Sequence, residues 1–328
     1  MNQAFIIGTG HYVPERVLTN ADLEKIVDTS DEWITARTGI KERRIEEPGT
    51  PVSAMSEIAA RRAIEDAGIE PSDLDLLILG TVTPDSPVPA AACRLQARLG
   101  VAGFPAMDVN AGCTAFIYAL ALSKAMIETG QAKTALAIGT EQLTYITDWT
   151  DRNTCVLFGD ASGAAVVSAD AGRGGRIVDT FISGDGSLTD LLYMPGPGTG
   201  LPISHEVIDN REIYLRMAGS EVFKHAVKAM GDSAELIVKR NGLTGEDIDL
   251  LIPHQANMRI MLATAKRIKL PKERVFVNIH KYGNTSSATV PVALDEARKE
   301  GRTPPGSHTV MVAFGAGFTW GSVLVEWV

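Results

Sequence analysis

The chain has 328 residues, 45% of them hydrophobic, which suits a large core in two domains or two closely packed halves and argues against disorder. Its 40 acidic and 31 basic residues leave a net charge of −9, so nothing in the bulk charge attracts nucleic acid, and a basic docking site has to be local. Cys93, Cys113 and Cys155 are too few and too scattered for a disulfide scaffold, no CxxC pair suggests structural zinc, and no His/Cys/Asp set has metal-ligand spacing.

The start MNQAFIIGTG lacks the basic region and long apolar segment of a secretory signal, and no apolar run approaches a membrane span, so a cytoplasmic protein is expected. The run QAFIIGTG predicts a first strand. The following GTGHYVP has neither dinucleotide-loop spacing nor a phosphate-loop lysine, which excludes nucleotide binding there. A helix is predicted from Met55 to Gly68, then a strand at LDLLILGTV, a helix from Thr114 to Gly130, and strands at TALAIGTE and GAAVVSAD (163–170). The alternation reads as an α/β fold.

The chain also resembles itself. GIEPSDLDLLI (68–78) returns as GLTGEDIDLLI (242–252) with six of eleven positions identical, and Cys113 to Gly130 spans 17 residues, as does Asn284 to Gly301. Two readings follow: the ordinary likeness of any two α/β units, or an internal duplication with halves 1–175 and 176–328 that sets Cys113 and Asn284 at equivalent helix starts. The sequence AGRGGR (171–176) is the best boundary, and residues 183–210 read as a long irregular excursion that covers a structural or a substrate surface.

Cys113, after Ala111–Gly112 and before an apolar helix, is either an inert core thiol or a nucleophile whose thiolate the helix N-terminus stabilises. His254 follows the strand-like run LLIP, and Asn284 follows Gly283; each has a structural reading, as a satisfied histidine and as a helix cap. Together the three offer a thiol, a neutral imidazole and an amide donor. In MVAFGAGFTWGS (311–322), Gly315, Ala316 and Gly317 either turn the chain or bring backbone N–H groups to a reacting carbonyl.

These elements resemble the beta-ketoacyl-[acyl-carrier-protein] synthase III family, thiolase-fold condensing enzymes, along essentially the whole chain. The marks are DTSDEWITARTGIKERR (28–44), NAGCTAF (110–116), TDRNTCVLFGDASGA (150–164), EVFKHAV (221–227), PHQANMRI (253–260), GNTSSA (283–288) and FGAGFTWGS (314–322). The resemblance implies a homodimer of five-layered α/β/α/β/α subunits with duplicated βαβ halves. The first half carries the nucleophile and the second the histidine and asparagine. The implied reaction joins an acyl-CoA primer to malonyl-acyl carrier protein (ACP) at the start of type II fatty acid synthesis, with acyl-CoA as substrate and no cofactor. Cys113 would be acylated, His254 and Asn284 would serve malonyl decarboxylation, and the backbone at Cys113 and Ala316 would form an oxyanion hole. Thr29, Trp33, Arg37, Arg152, Phe223 and Asn257 match positions that bind CoA. Lys224, Arg259, Lys266 and Arg267 match a surface that docks the carrier protein. Val88 matches a primer gate contributed across the dimer, where a smaller side chain than phenylalanine would admit longer or branched primers.

The same catalytic set fits a relative that primes a polyketide, quinolone or other secondary product. A non-catalytic acyl-CoA scaffold would not need the set intact, and a thiolase would need a second catalytic cysteine in a motif that neither Cys93 nor Cys155 provides.

Overall fold

Strands that read as unbroken apolar runs are those covered on both faces, and here residue parity sorts each strand between two cores. Leu76 and Ile78 enter one core, Leu77 and Leu79 another; Leu250 and Ile252 share the first core, while Leu251 enters a third. The computed structural model describes residues 2–169 and 171–328; Met1 and Asp170, the last residue of the predicted strand 163–170, lie outside it.

Among the described residues nine strands form the main sheet: β1 Ala4–Tyr12, β2 Leu76–Gly80, β3 Ala106–Val109, β4 Thr134–Gln142, β5 Asp160–Ala169, β6 Gly175–Gly184, β7 Leu250–Pro253, β8 His308–Gly315 and β9 Thr319–Trp327. Their order is β7-β8-β9-β6-β1-β5-β4-β2-β3. The join between β6 and β1 is slight, resting on Phe5 opposite Arg176 and Ile6 opposite Gly175. On either side of it the same pattern runs outward. From β1, two antiparallel pairings lead through β5 to β4, and two parallel ones lead through β2 to β3. From β6, two antiparallel pairings lead through β9 to β8, then a parallel one to β7 and a parallel bridge from Leu251 to Val275.

The two runs sandwich the helices Ala115–Glu128 and Thr289–Lys299, whose Phe116, Leu120, Val290 and Leu294 share one core with both runs. Outside the first run, helices Val52–Ala67 and Ala91–Arg98 cover a second core; outside the other, Gly219–Arg240 and Met258–Arg267 cover a third. The result is the five-layered α/β/α/β/α arrangement. Its central helices are apolar around most of their surface because strands face them from both sides.

Candidate active site

A cavity of about 350 Å³ opens beside the starts of the two central helices, and Cys113, His254, Asn284, Ser286 and Ala316 line it with Phe223 and Asn257. Cys113 follows β3 and precedes the helix Ala115–Glu128, whose N-cap is Thr114, so it sits just outside the first turn rather than within it. Gly315 at the end of β8 presses on this loop: a Cβ there would stand 2.4 Å from the Cys113 backbone nitrogen. A Cβ on Gly112, whose φ is +54°, would stand 2.6 Å from the Ala316 nitrogen. Only glycines permit so close a crossing, and it brings the Cys113 and Ala316 segments side by side. Ala316 itself keeps a negative φ, since the positive-φ non-glycine residues are Arg211, Lys269 and Ser286.

The expected low thiol pKa is not what the site shows. Cys113 keeps some surface on the cavity, but protein atoms crowd the thiol, and burial pushes it up to about 12. The Ser286 hydroxyl, a hydrogen-bond partner, works the other way, whereas the charge of Glu141 adds to the rise. Loss of hydration outweighs one hydrogen bond here.

His254 stands immediately after β7, anchored by its N–H to Val312 O at 2.8 Å, and burial lowers its pKa to about 3, which keeps the imidazole neutral. Its Nδ1 meets the Thr289 hydroxyl at 2.6 Å. Asn284 is not a helix cap: the second central helix starts at Thr289, after a single 3-10 turn at Ser286–Ala288. Asn284 Oδ1 instead accepts the Ser286 N–H at 2.9 Å, which commits the amide oxygen and leaves Nδ2 as its free donor.

Behind these residues lies a group that the sequence reading missed. Glu141 on β4 is fully buried, and burial raises its carboxyl to about 7. Oε2 accepts from the Val82 N–H at 3.0 Å and the hydroxyls of Thr83 at 2.9 Å and Thr81 at 3.2 Å. Oε1 accepts from the hydroxyls of Ser287 at 2.9 Å and Ser286 at 3.1 Å. Gly139 makes this approach possible, since a Cβ there would lie 2.2 Å from Ser287 O. The signal was an acid inside the apolar run TALAIGTEQ, where a solvated charge has no place.

The residues matched to CoA binding gather near the cavity. Arg37 and Arg152 lie over the Trp33 ring, 4.7 and 4.8 Å from its centroid. Asn257 donates to Arg37 O at 3.0 Å and caps the helix Met258–Arg267. Thr29 Oγ1 is buried without a hydrogen-bond partner. Of the excursion 183–210, Leu192, Tyr193 and Met194 line the cavity.

Of the residues matched to carrier docking, Lys224 and Lys266 are exposed, and Arg259 stacks over Phe223 at 5.0 Å. Arg267 departs from the expected open patch: it bridges to Asp232 at 3.0 Å and Glu235 at 2.8 Å, so acids on the neighbouring helix offset its charge. Val88 is 82% exposed and does not line the cavity of its own chain. No helix among the described residues is long and apolar enough to cross a membrane.

The chain matches the family model for the C-terminal part of 3-oxoacyl-[acyl-carrier-protein (ACP)] synthase III over residues 238–327, and the companion model over 107–186. It is 51% identical over 325 residues to the beta-ketoacyl-[acyl-carrier-protein] synthase III of Caldanaerobacter subterraneus subsp. tengcongensis, covering 99% of this chain and 98% of the relative. The chain belongs to the 3-oxoacyl-[acyl-carrier-protein] synthase III family. The crystal structure of the Aquifex aeolicus VF5 synthase III is 48% identical, with a TM-score of 0.91 over 99% of this chain and 100% of that one. The priming beta-ketosynthase from the R1128 polyketide biosynthetic pathway is 32% identical, with a TM-score of 0.91 over 99% of this chain and 96% of that one. As a synthase III family member, the chain is a condensing acyltransferase.

Proposed function

We propose that the chain joins an acyl-CoA primer to malonyl-ACP, releasing CO2 and CoA and giving 3-oxoacyl-ACP, the step that initiates type II fatty acid synthesis. The observation that carries this reading is the convergence of Cys113, His254 and Asn284 on one cavity in a synthase III family member. The Cys113 thiolate attacks the primer thioester and expels CoA, which divides a difficult carbon–carbon bond formation into two steps. The oxyanion of each tetrahedral intermediate is held by the backbone N–H groups of Cys113 and Ala316, which Gly315 and Gly112 allow to approach.

Malonyl-ACP then loses CO2, and charge grows on its thioester oxygen. Asn284 Nδ2 is free to donate to that oxygen. The Thr289 hydroxyl donates to Ser286 O at 2.9 Å, beside the Thr289 N–H, and in that arrangement it accepts from His254 Nδ1. For Nε2 to act as a second donor, the Thr289 hydroxyl turns its proton from Ser286 O, which keeps the Thr289 N–H, to Nδ1, and the ring proton then resides on Nε2. Both bonds strengthen as the enolate forms, and interactions of that kind raise the rate. The carbanion attacks acyl-Cys113 and closes the cycle.

For the CoA end, adenine takes the place of one guanidinium on Trp33, Arg37 and Arg152 address the phosphates, and Thr29, Phe223 and Asn257 line the approach. Lys224, Arg259 and Lys266 form the docking surface for an acidic carrier protein, with Arg267 as a weaker member. Matching strand order on the two sides of the sheet supports duplicated halves 1–175 and 176–328, and the exposure of Val88 suits a primer gate that works across a homodimer. The likeness to the R1128 priming enzyme supports a second reading, in which the same chemistry primes a polyketide.

Intact-protein mass after incubation with acetyl-CoA and a panel of longer and branched acyl-CoAs, beside a Cys113→Ala control, tests the reading. An adduct that the control lacks names the nucleophile and the primer class. No adduct from any donor overturns it, and exclusive use of acetyl-CoA removes the proposed role of Val88.

A further inference from the structure

Glu141 takes no part in the chemistry above, yet a fully buried carboxylate is costly to keep. Among the described residues none of its hydrogen-bond partners is a lysine or arginine; four hydroxyls and one N–H hold it. The two oxygens divide these donors. Oε2 is tied to the 81–83 segment that follows β2, whereas Oε1 takes the consecutive hydroxyls of Ser286 and Ser287. The Ser287 hydroxyl has two other acceptors in reach, Gly80 O at 3.0 Å and Thr140 O at 3.4 Å, but the carboxylate at 2.9 Å is the nearest and the charged one.

Ser286 is where this anchor meets the site. It stands at φ +49°, a conformation that residues with a side chain adopt rarely, so the turn needs something to hold it. In that conformation both of its backbone polar groups serve the candidate donors. Its N–H donates to Asn284 Oδ1 at 2.9 Å. Its C=O receives the Thr289 N–H and, at 2.9 Å, the Thr289 hydroxyl, and that hydroxyl meets His254 Nδ1 at 2.6 Å. The backbone of Asn284 is fixed separately: its N–H donates to Leu157 O at 2.8 Å, and its C=O accepts the Gly159 N–H at 3.1 Å. The Ser286 N–H is thus left to set the rotation of the amide side chain.

We infer that Glu141 is a positioning residue for malonyl decarboxylation. By holding Ser286 and Ser287 it keeps the 284–289 turn in the conformation that aims Asn284 Nδ2 and the His254 ring at one oxygen. Glu141 itself does not line the cavity, so it acts only through the turn. The anchor asks for a hydrogen-bonding partner at Oε1, not for a charge, and an amide can supply one. Acylation of Cys113 uses neither Asn284 nor His254, so the two half-reactions should respond differently.

The inference rests on the proposed condensation. Its test is the kcat and KM of CO2 release from malonyl-ACP, the rate of Cys113 acylation by intact mass, and a crystal structure, for Glu141→Ala, Glu141→Gln and Ser287→Ala. Ser287 is fully buried and does not line the cavity, so its loss removes an anchor without removing a substrate contact. In Glu141→Ala and Ser287→Ala, kcat for CO2 release is expected to fall by about 10- to 100-fold, the worth of a donor moved by about 1 Å, with KM and acylation within a few-fold of wild type. Glu141→Gln still offers the serines an amide oxygen or, once their hydroxyls turn, an amide N–H, and is expected to recover most of the loss.

A charge effect predicts the opposite sign, because removing an anion from behind the site eases the growth of another. Equal or faster CO2 release in Glu141→Ala and Ser287→Ala overturns the proposal, as does a Glu141→Gln enzyme as slow as Glu141→Ala, or acylation that falls as far as CO2 release. Ser287→Ala leaves Glu141 its four other donors, so it decides the matter if Glu141→Ala does not fold. In the crystal structures Ser286 is expected to leave φ +49° and Asn284 Oδ1 to part from its N–H; a turn that stays in place overturns the positioning whatever the reaction proves to be. Absence of CO2 release from the wild-type enzyme strikes the proposed condensation, and the position of the turn then decides the role of Glu141.

Discussion

Replacing Asn284 by alanine separates the two halves of the proposed cycle. The side chain has two tasks: Oδ1 accepts the Ser286 N–H at 2.9 Å, and Nδ2 is the donor left for the enolate oxygen. Loss of one donor of this kind lowers kcat by about 10²–10³, or about 2.7–4 kcal/mol of transition-state stabilisation. Alanine also strands the buried Ser286 N–H, at about 1–3 kcal/mol of stability. Asn284→Asp isolates the first effect, because a carboxylate still accepts from Ser286 but cannot donate, and it adds a negative charge where another must grow. Both variants should therefore release CO2 from malonyl-ACP at least about 100-fold more slowly, Asn284→Asp being the slower of the two, while primer transfer to Cys113 stays within a few-fold of wild type. Release of labelled CO2 and the intact mass of acyl-Cys113 read the two steps separately. Equal losses in both steps, or unimpaired CO2 release from Asn284→Asp, would refute the assignment of Nδ2 as an enolate donor.

Other outcomes follow from particular contacts. Gly139→Ala would drive a Cβ to 2.2 Å from Ser287 O, a backbone atom that cannot swing aside, so stability should fall by about 1–3 kcal/mol in thermal unfolding. An unchanged midpoint would mean that the segment yields. His254 has its pKa depressed from 6.5 to about 3, so its neutral form persists as pH falls. CO2 release should accordingly stay level from about pH 7 down to about 5 while the fold holds, and a loss centred near about 6.5 would count against a buried, neutral ring. Trp33→Ala should raise KM for acyl-CoA by about 5- to 100-fold, the worth of one stacked base, without affecting transfer from a short pantetheine thioester that lacks adenine. Reversing the charge at Lys266 should raise KM for malonyl-ACP more than reversing it at Arg267, whose ion pairs with Asp232 and Glu235 already offset its charge, and added salt should narrow the difference.

The alternating elements, the self-likeness of 68–78 and 242–252, and the Cys113, His254 and Asn284 candidates were legible in the sequence because each depends on local pattern. A strand buried on both faces is apolar throughout, a loop residue placed after a strand is exposed to a cavity, and glycines mark close crossings. Local pattern erred on local electrostatics: it let the helix N-terminus beside Cys113 favour a thiolate, whereas the surrounding protein desolvates the thiol and raises its pKa. It made Asn284 a possible helix cap, whereas the intervening 3-10 turn gives its oxygen to Ser286.

Only the tertiary structure assembled the rest. Glu141 and Ser286 are 145 residues apart and meet because Gly139 lets the 286–287 backbone rest on β4. Thr289 reaches His254 across 35 residues and supplies the hydroxyl that can set its proton. Arg267 lost its open charge to a helix that the sequence does not place beside it. Sequence by itself determined which segments must be covered and which side chains could react. Burial, proton direction and charge pairing were decided by the packing of distant elements, because each depends on which groups exclude water from which others.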